Sequence, residues 1–397
     1  MCKRFKKFAL WFFFLFFFIS YFPEEATGSN FIKIALLTSP PKAHHFVNKS
    51  FIRGAEMAVA EINLAEEKKE IQFLLYLWTG FTNSQQNLQE LRQKIDTEEI
   101  KFLMGALNPE SIPPVAKIAH EKKMPFLVFP DELRELFSSR PEPENLFWIA
   151  PSPEAFQRAA VRQIAKLPGR QIFFLAQDSR LNRSWSKYFW EEVPKLKPAA
   201  KPVGEIFIPP KSEDYAELVR IILSAKPDIC ISNLSLHQWL HFVPPAQKEG
   251  YFKKLLHFEL ASGNLEFLIA LGREYPRGVW GVSAFPFWGI TAEKTQKFVD
   301  KFKEKTASYP DLPALSGYVC IYALIEAMKK GNTLNPERIL KILPNLNFPT
   351  PIGSLTIRAS DRRALWPIWA GVSAFSSLYP FAILKDLNYY GPDAFQP

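Results

Sequence analysis

The sequence predicts an α/β chain folded as two similar lobes, each a mainly parallel sheet with helices on both faces. Three observations carry that expectation. From Phe31 onward, short apolar runs alternate with stretches of helical spacing, the pattern of successive strand–helix units. The alternation restarts after Ala150-Pro151-Ser152, where a second unit begins. Length and composition agree: 397 residues, 47% hydrophobic and 22% charged, hold two or three ordinary domains and exclude wholesale disorder.

The first half opens with FIKIALL (31–37), an apolar β run. Residues 50–63 then place Ile52, Ala55, Val59 and Ile62 on one helical face. IQFLLYLW (71–78) is the next strand, 84–95 the next helix, and KFLMGA (101–106) the third strand. A helix over 113–123 leads to the strand PFLVF (125–129). In the second half, helices are expected over 154–166, 184–196, 214–224 and 237–249. Strands at 171–177, 204–208, 228–233 and 255–260 interleave with them. VWGVSAF (279–285) reads as a further strand, and 292–306 and 316–330 as amphipathic helices. Asn335-Pro336 is an N-cap and first-turn pair that opens a helix to Leu343. From Ile352 to Leu387 the text is β-rich, and 388–397 form a C-terminal tail. No short-period repeat interrupts this order.

The N-terminus decides the compartment. Lys3, Arg4, Lys6 and Lys7 precede an uncharged apolar run over 8–22, too short to span a bilayer comfortably. Pro23 ends the run, and Ala26-Thr27-Gly28 offers small residues for cleavage before Ser29. Residues 1–28 therefore read as a signal peptide or, if uncleaved, an N-terminal anchor. Either way the rest of the chain is expected to be periplasmic or otherwise extracytoplasmic, touching the membrane only through that segment.

The formal charge of +9 is spread thinly, so nucleic-acid binding has no footprint. Cys2 lies ahead of the apolar run, which leaves Cys230 and Cys320; two separately buried thiols are the default, a disulfide the alternative. His237 and His241 share a helix face, but the residues between them do not supply an HExxH site, and no metal is expected. GxSxG, GxxxxGK[ST] and GxGxxG are all absent from the sequence, so hydrolase, P-loop and dinucleotide templates lack their fingerprints. Neither an enzyme nor a cofactor is expected.

An ordered set of phrases resembles a known family. It runs IKIALLTSP (32–40), RGAEMAVAEIN (53–63), FLMGALNPESIPPVAKIAHEKKMPFLVFP (102–130), NLFWIAPSPEAFQRAAVRQIAK (145–166) and QIFFLAQDSRLNRSWSKYF (171–189). DYAELVRIILSAKPDICISN (214–233), GVWGVSAF (278–285), SGYVCIYALIEAMKKG (316–331) and TPIGSLTIRASDRR (350–363) complete it. In order and spacing the chain is similar, from about residue 30 onward, to the type I periplasmic binding proteins. The branch in question binds branched-chain amino acids for ABC importers.

The resemblance implies two Rossmann-like lobes joined by three interlobe crossovers, placed near Pro151, Gly281 and Gly353. Lobe one is then 31–150 plus 282–352, and lobe two 151–281 plus 353–387. It also implies a solute receptor that captures a small polar or amphiphilic ligand between the lobes and passes it to an ABC permease. The alternative is a sensory or scaffold module of the same fold, partnered by a membrane sensor, that has lost amino-acid binding.

By the same resemblance, ligand contacts come from loops at the carboxyl ends of strands. In lobe one these are Ser39 and His45 in the first loop, Asn108 and Ser111 in the second, and Glu132 in the third, beside Arg134. The Ser/Thr run of the relatives is replaced here by Ala106-Leu107-Asn108-Pro109-Glu110-Ser111, and capping is an equal role for Ser111. Lobe two would contribute Asp178, Asn233 and Glu259, the last as counter-charge to an ammonium or as an ordinary strand-end carboxylate. Phe285, with Trp288, could close over a ligand or pack in the core.

Overall fold

Two sheets repeat one strand order. In the computed structural model, which describes residues 30–40, 45–65, 71–130, 143–212 and 214–392, the first sheet holds five parallel strands. They are β1 (Asn30–Thr38), β2 (Ile71–Thr79), β3 (Ile100–Leu107), β4 (Phe126–Pro130) and β5 (Leu146–Trp148), ordered β2-β1-β3-β4-β5. The second sheet uses β6 (Gln171–Gln177), β7 (Lys201–Ile208), β8 (Ile229–Asn233), β9 (Leu256–Glu259) and β10 (Trp280–Ser283) in the equivalent order β7-β6-β8-β9-β10. A small antiparallel hairpin, β11 (Asn347–Thr350) with β12 (Gly353–Thr356), stands apart from both. Antiparallel β13 (Ile368–Phe375) and β14 (Ala382–Tyr390) then extend the second sheet beyond β10. The chain is thus a two-lobed, mixed α/β fold.

The sequence explains the layering. β3 is buried along nearly its whole length because it is central and covered on both faces, whereas edge strand β2 alternates. Helices α1 (His45–Ala65), α2 (Gln85–Thr97) and α3 (Ile112–Glu121) connect the first strands. In the second lobe α4 (Pro153–Lys166), α5 (Arg180–Leu196), α6 (Tyr215–Ser224), α7 (Leu236–Lys248), α8 (Tyr251–Lys254) and α9 (Leu265–Leu271) do the same. Side chains at helix starts accept N–H groups of the first turn: Ser152 for α4, Ser179 for α5, Asp214 for α6 and Ser235, in a capping box with Gln238, for α7.

The remaining helices, α10 (Glu293–Thr306), α11 (Leu312–Gly331) and α12 (Pro336–Ile342), return to the first lobe. α11 is long and apolar enough to cross a membrane by length and composition, but it is mostly buried as a core helix. It lies against α1 with touching backbones. A Cβ on Gly54 would run into the carbonyl of Ala314, and one on Gly317 into that of Phe51. Gly317→Ala is therefore expected to destabilise by about 1–3 kcal/mol, read as a lowered denaturant midpoint at unchanged slope.

Three features differ from the sequence reading. β5 is only Leu-Phe-Trp, and α8 and α9 lie in stretches without strong periodicity. β10 stays in the second sheet to Ser283, two residues beyond Gly281, near which a passage is expected. The β11–β12 hairpin packs on α11, and the segment after it reaches β5: Trp148 accepts the Ala364 N–H and donates its own to the Arg362 carbonyl. Beyond Ala364 the chain enters β13 of the second sheet at Ile368. Cys230 in β8 and Cys320 in α11 lie in different lobes, both buried and unpaired.

Candidate ligand-binding site

β5 and β10 each run directly into a passage between the lobes. In a parallel sheet this puts the carboxyl ends of all strands of one lobe on the side of those passages, where loops of both lobes are available to a ligand. The polar groups at these ends make up the candidate site.

On the first lobe, β1 ends at Thr38-Ser39. Ser39 is buried; its hydroxyl accepts the Asn108 N–H at 2.6 Å, and its carbonyl accepts the Asn48 amide at 2.8 Å. This fastens the first loop to the second. Asn108 leads into a 3-10 turn over Pro109–Ser111, continued by α3. Ser111 is buried but makes no side-chain cap bond, so its hydroxyl is not consumed by capping. The first turn of α3 is a poor anion cradle. Pro113 and Pro114 have no N–H, and the Ile112 N–H is already bonded to the Pro109 carbonyl. His45 is the first residue of α1, with its side chain outside the described part, and Glu132 and Arg134 lie outside the described residues.

The second lobe's polar groups bond to one another. Asp178, at the end of β6, takes a two-pronged bond from Arg183 at 2.8 and 2.9 Å, which holds its carboxyl below the usual range. Asn233, at the end of β8, donates to Asn182 at 2.7 Å, and Asn182 donates to the Gln177 carbonyl at 2.8 Å. Glu259 is fully buried. Its carboxylate accepts the Ser232 hydroxyl and the N–H groups of Leu234 and Ala261. Behind it, Ser232 meets His257 Nε2 at 2.8 Å, and Tyr251 meets His257 Nδ1 at 3.0 Å. Phe285 packs against Phe287 and Phe298 in the aromatic core, and the Trp288 indole donates to the Leu384 carbonyl at 2.9 Å.

Sequence reasoning missed a group at the first passage. A small recess there is lined by Pro130, Trp148, Ala150, Ser152 and Arg363. The Arg363 guanidinium lies 5.9 Å from the Trp148 ring and 3.4 Å from Asp361. Burial would raise the Asp361 carboxyl, but hydrogen bonding to Arg358 and the charges of Arg358 and Arg363 outweigh it and lower it. The signal was the Asp-Arg-Arg run at 361–363; what it did not reveal is that this run aligns beside β5, 215 residues earlier.

A family model described as periplasmic binding protein matches residues 32–372. Among solved structures, an ABC-type branched-chain amino acid transporter protein from Rhodopseudomonas palustris is similar at TM-score 0.74 and 16% identity, covering 91% of this chain and 97% of that one. A solute-binding protein of an R. palustris ABC transporter in complex with 4-hydroxybenzoate gives 0.73 and 13%, with 91% and 97% coverage. The leucine-, isoleucine-, valine-, threonine- and alanine-binding protein of Brucella ovis, in its closed conformation, gives 0.73 and 14%, with 93% and 97% coverage.

Proposed function

The chain belongs to the periplasmic binding protein family, and from that premise we propose that it is the extracytoplasmic solute-binding protein of an ABC-type importer. Residues 1–28 direct its export. It captures a small polar or amphiphilic solute between its lobes, closes by rotation at the three passages, and presents the closed form to a permease. The observation that carries this reading is the repeated strand order, with the carboxyl ends of both sheets turned to the passages. Closure is favoured only by a ligand that touches both lobes.

Among the ligands named for similar proteins, amino acids and hydroxybenzoates, the local chemistry favours an amphiphilic carboxylate over a free α-amino acid. Both acidic groups that would receive an ammonium are engaged within their own lobe. The proline-bearing start of α3 is a weak clamp for an α-carboxylate, whereas Arg363, held beside Trp148 and Asp361 at the first passage, is a guanidinium suited to an acid without an ammonium. The protein binds rather than catalyses. Ser232, His257 and Glu259 superficially resemble a hydrolytic set, but all three are buried, and Ser232 directs its proton to the carboxylate rather than the imidazole.

The test is a thermal-shift and calorimetric panel of amino acids and hydroxybenzoates. A true ligand at a hundredfold excess over Kd stabilises by about 2.7 kcal/mol. A shift with the acids that is lost in Arg363→Ala is the expected outcome. Shifts with amino acids alone would reverse the ligand class. A cooperative melt unmoved by either class would favour the sensory module.

A further inference from the structure

One cavity among the described residues is not between the lobes. It lies on the first lobe among α1, α10, α11 and the β11–β12 hairpin, with a volume of about 240 Å³. Its wall is built of Phe298, Tyr318, Tyr322, Pro349 and Pro351, and Lys294 and Lys297 stand at one side. Aromatic rings and prolines give it a mainly apolar lining. Tyr318 and Tyr322 stack with centroids 4.5 Å apart, and Phe298 meets Tyr318 edge-on at 5.0 Å.

The cavity's one carboxylate, Glu61, is already neutralised. One oxygen accepts Lys301 at 2.9 Å, and the other accepts the Tyr318 and Tyr322 hydroxyls at 2.7 and 3.2 Å. Burial raises both phenols, so they remain protonated donors to it. That leaves Lys294 and Lys297 as the cationic end of the cavity. Lys297 reaches Glu293 at 2.6 Å, but both partners are exposed, and such a pair exchanges readily for a better anion. Both lysines project from the first turns of α10, whose dipole adds to the positive field.

We propose that this cavity is a second ligand site, separate from the interlobe cleft, for a small anion with a flat apolar body, an aromatic carboxylate of one ring. The ring lies against Phe298, Tyr322 and the prolines, and the carboxylate meets Lys294 and Lys297. The size limits the occupant: a slot of about 240 Å³ is below the range for drug-sized ligands. The proposal does not rest on the importer reading, since no residue is shared with the cleft.

The experiment uses the full chain labelled with 3-fluorotyrosine and follows the fluorine resonances of Tyr318 and Tyr322, assigned with Tyr318→Phe and Tyr322→Phe. Benzoate is the probe, and benzyl alcohol its neutral counterpart. Benzoate is expected to shift both resonances saturably and benzyl alcohol to leave them unmoved. Lys294→Glu combined with Lys297→Glu is expected to weaken the benzoate response by about tenfold or more, with an unchanged melt because both lysines are exposed. Tyrosine resonances insensitive to benzoate would overturn the proposal. So would an equal response to benzyl alcohol, or a response that survives the charge reversal. Binding in the cleft alone leaves these two resonances in place and counts against the second site.

Discussion

Glu259→Ala is expected to lower the stability of the folded protein by about 3–5 kcal/mol. The carboxylate is fully buried and accepts the Ser232 hydroxyl and the N–H groups of Leu234 and Ala261. Truncation leaves those donors without an acceptor inside the lobe, and the desolvation penalty of each is then uncompensated. Glu259→Gln keeps the volume but turns an amide N–H₂ toward groups that themselves donate, so it should recover only part of the loss. Asp178→Ala is the contrasting control, because that carboxylate is solvent-accessible and bonded to an exposed Arg183. Urea unfolding of the three variants reads the order directly. If Glu259→Ala melts like the parent but no longer binds solute, the carboxylate serves the ligand rather than the lobe.

Most of the architecture was legible because burial writes itself into composition. KFLMGA and DICISN are apolar runs without alternation, and they become β3 and β8, strands covered on both faces. β5 escaped because three residues give no periodicity to read. Near two of the passages that the resemblance implies, the glycines have local roles. Gly281 sits against Ser262 and the Glu259 carbonyl, where a Cβ would collide. Gly353, with φ +105°, serves the turn of the β11–β12 hairpin. At the candidate site, strand ends could be located from sequence but hydrogen-bond commitments could not. Asp178 reads as an available acid until Arg183 is seen to hold it, and Asn233 as a donor until its bond to Asn182, 51 residues away, uses it. Arg363 shows the converse. The Asp-Arg-Arg run marks it only as a charged position, and the alignment of its segment with β5 is what brings it beside Trp148.

His257 should make the second lobe sensitive to acid. Its ring is buried among Trp239, Phe242, Tyr251 and Phe252, with centroids 5.3–5.7 Å away, and burial pushes its pKa down to about 3. The tautomer follows from the protons available. Ser232 has one proton and gives it to Glu259, so His257 Nε2 donates to Ser232, and Nδ1 accepts from Tyr251. A neutral ring is therefore part of the fold. Between the unfolded value near 6.5 and the folded value near 3, the unfolded chain binds the extra proton, and stability falls as pH falls. The slope reaches about 1.4 kcal/mol per pH unit. Asp311 acts in the opposite direction, since burial lifts its carboxyl to about 6 and its protonation favours the folded state as pH drops. The histidine contribution is isolated by comparison with His257→Gln, whose amide can accept from Tyr251 and donate to Ser232 without titrating. From pH 6.5 to 4, denaturant unfolding should show the parent losing about 3 kcal/mol relative to this variant, with the Asp311 contribution cancelling between the two. A stability difference that stays constant across that range would mean the imidazole carries both protons in the fold; His257 Nδ1 would then donate to the Tyr251 oxygen, while Nε2 still donates to Ser232 and Ser232 to Glu259.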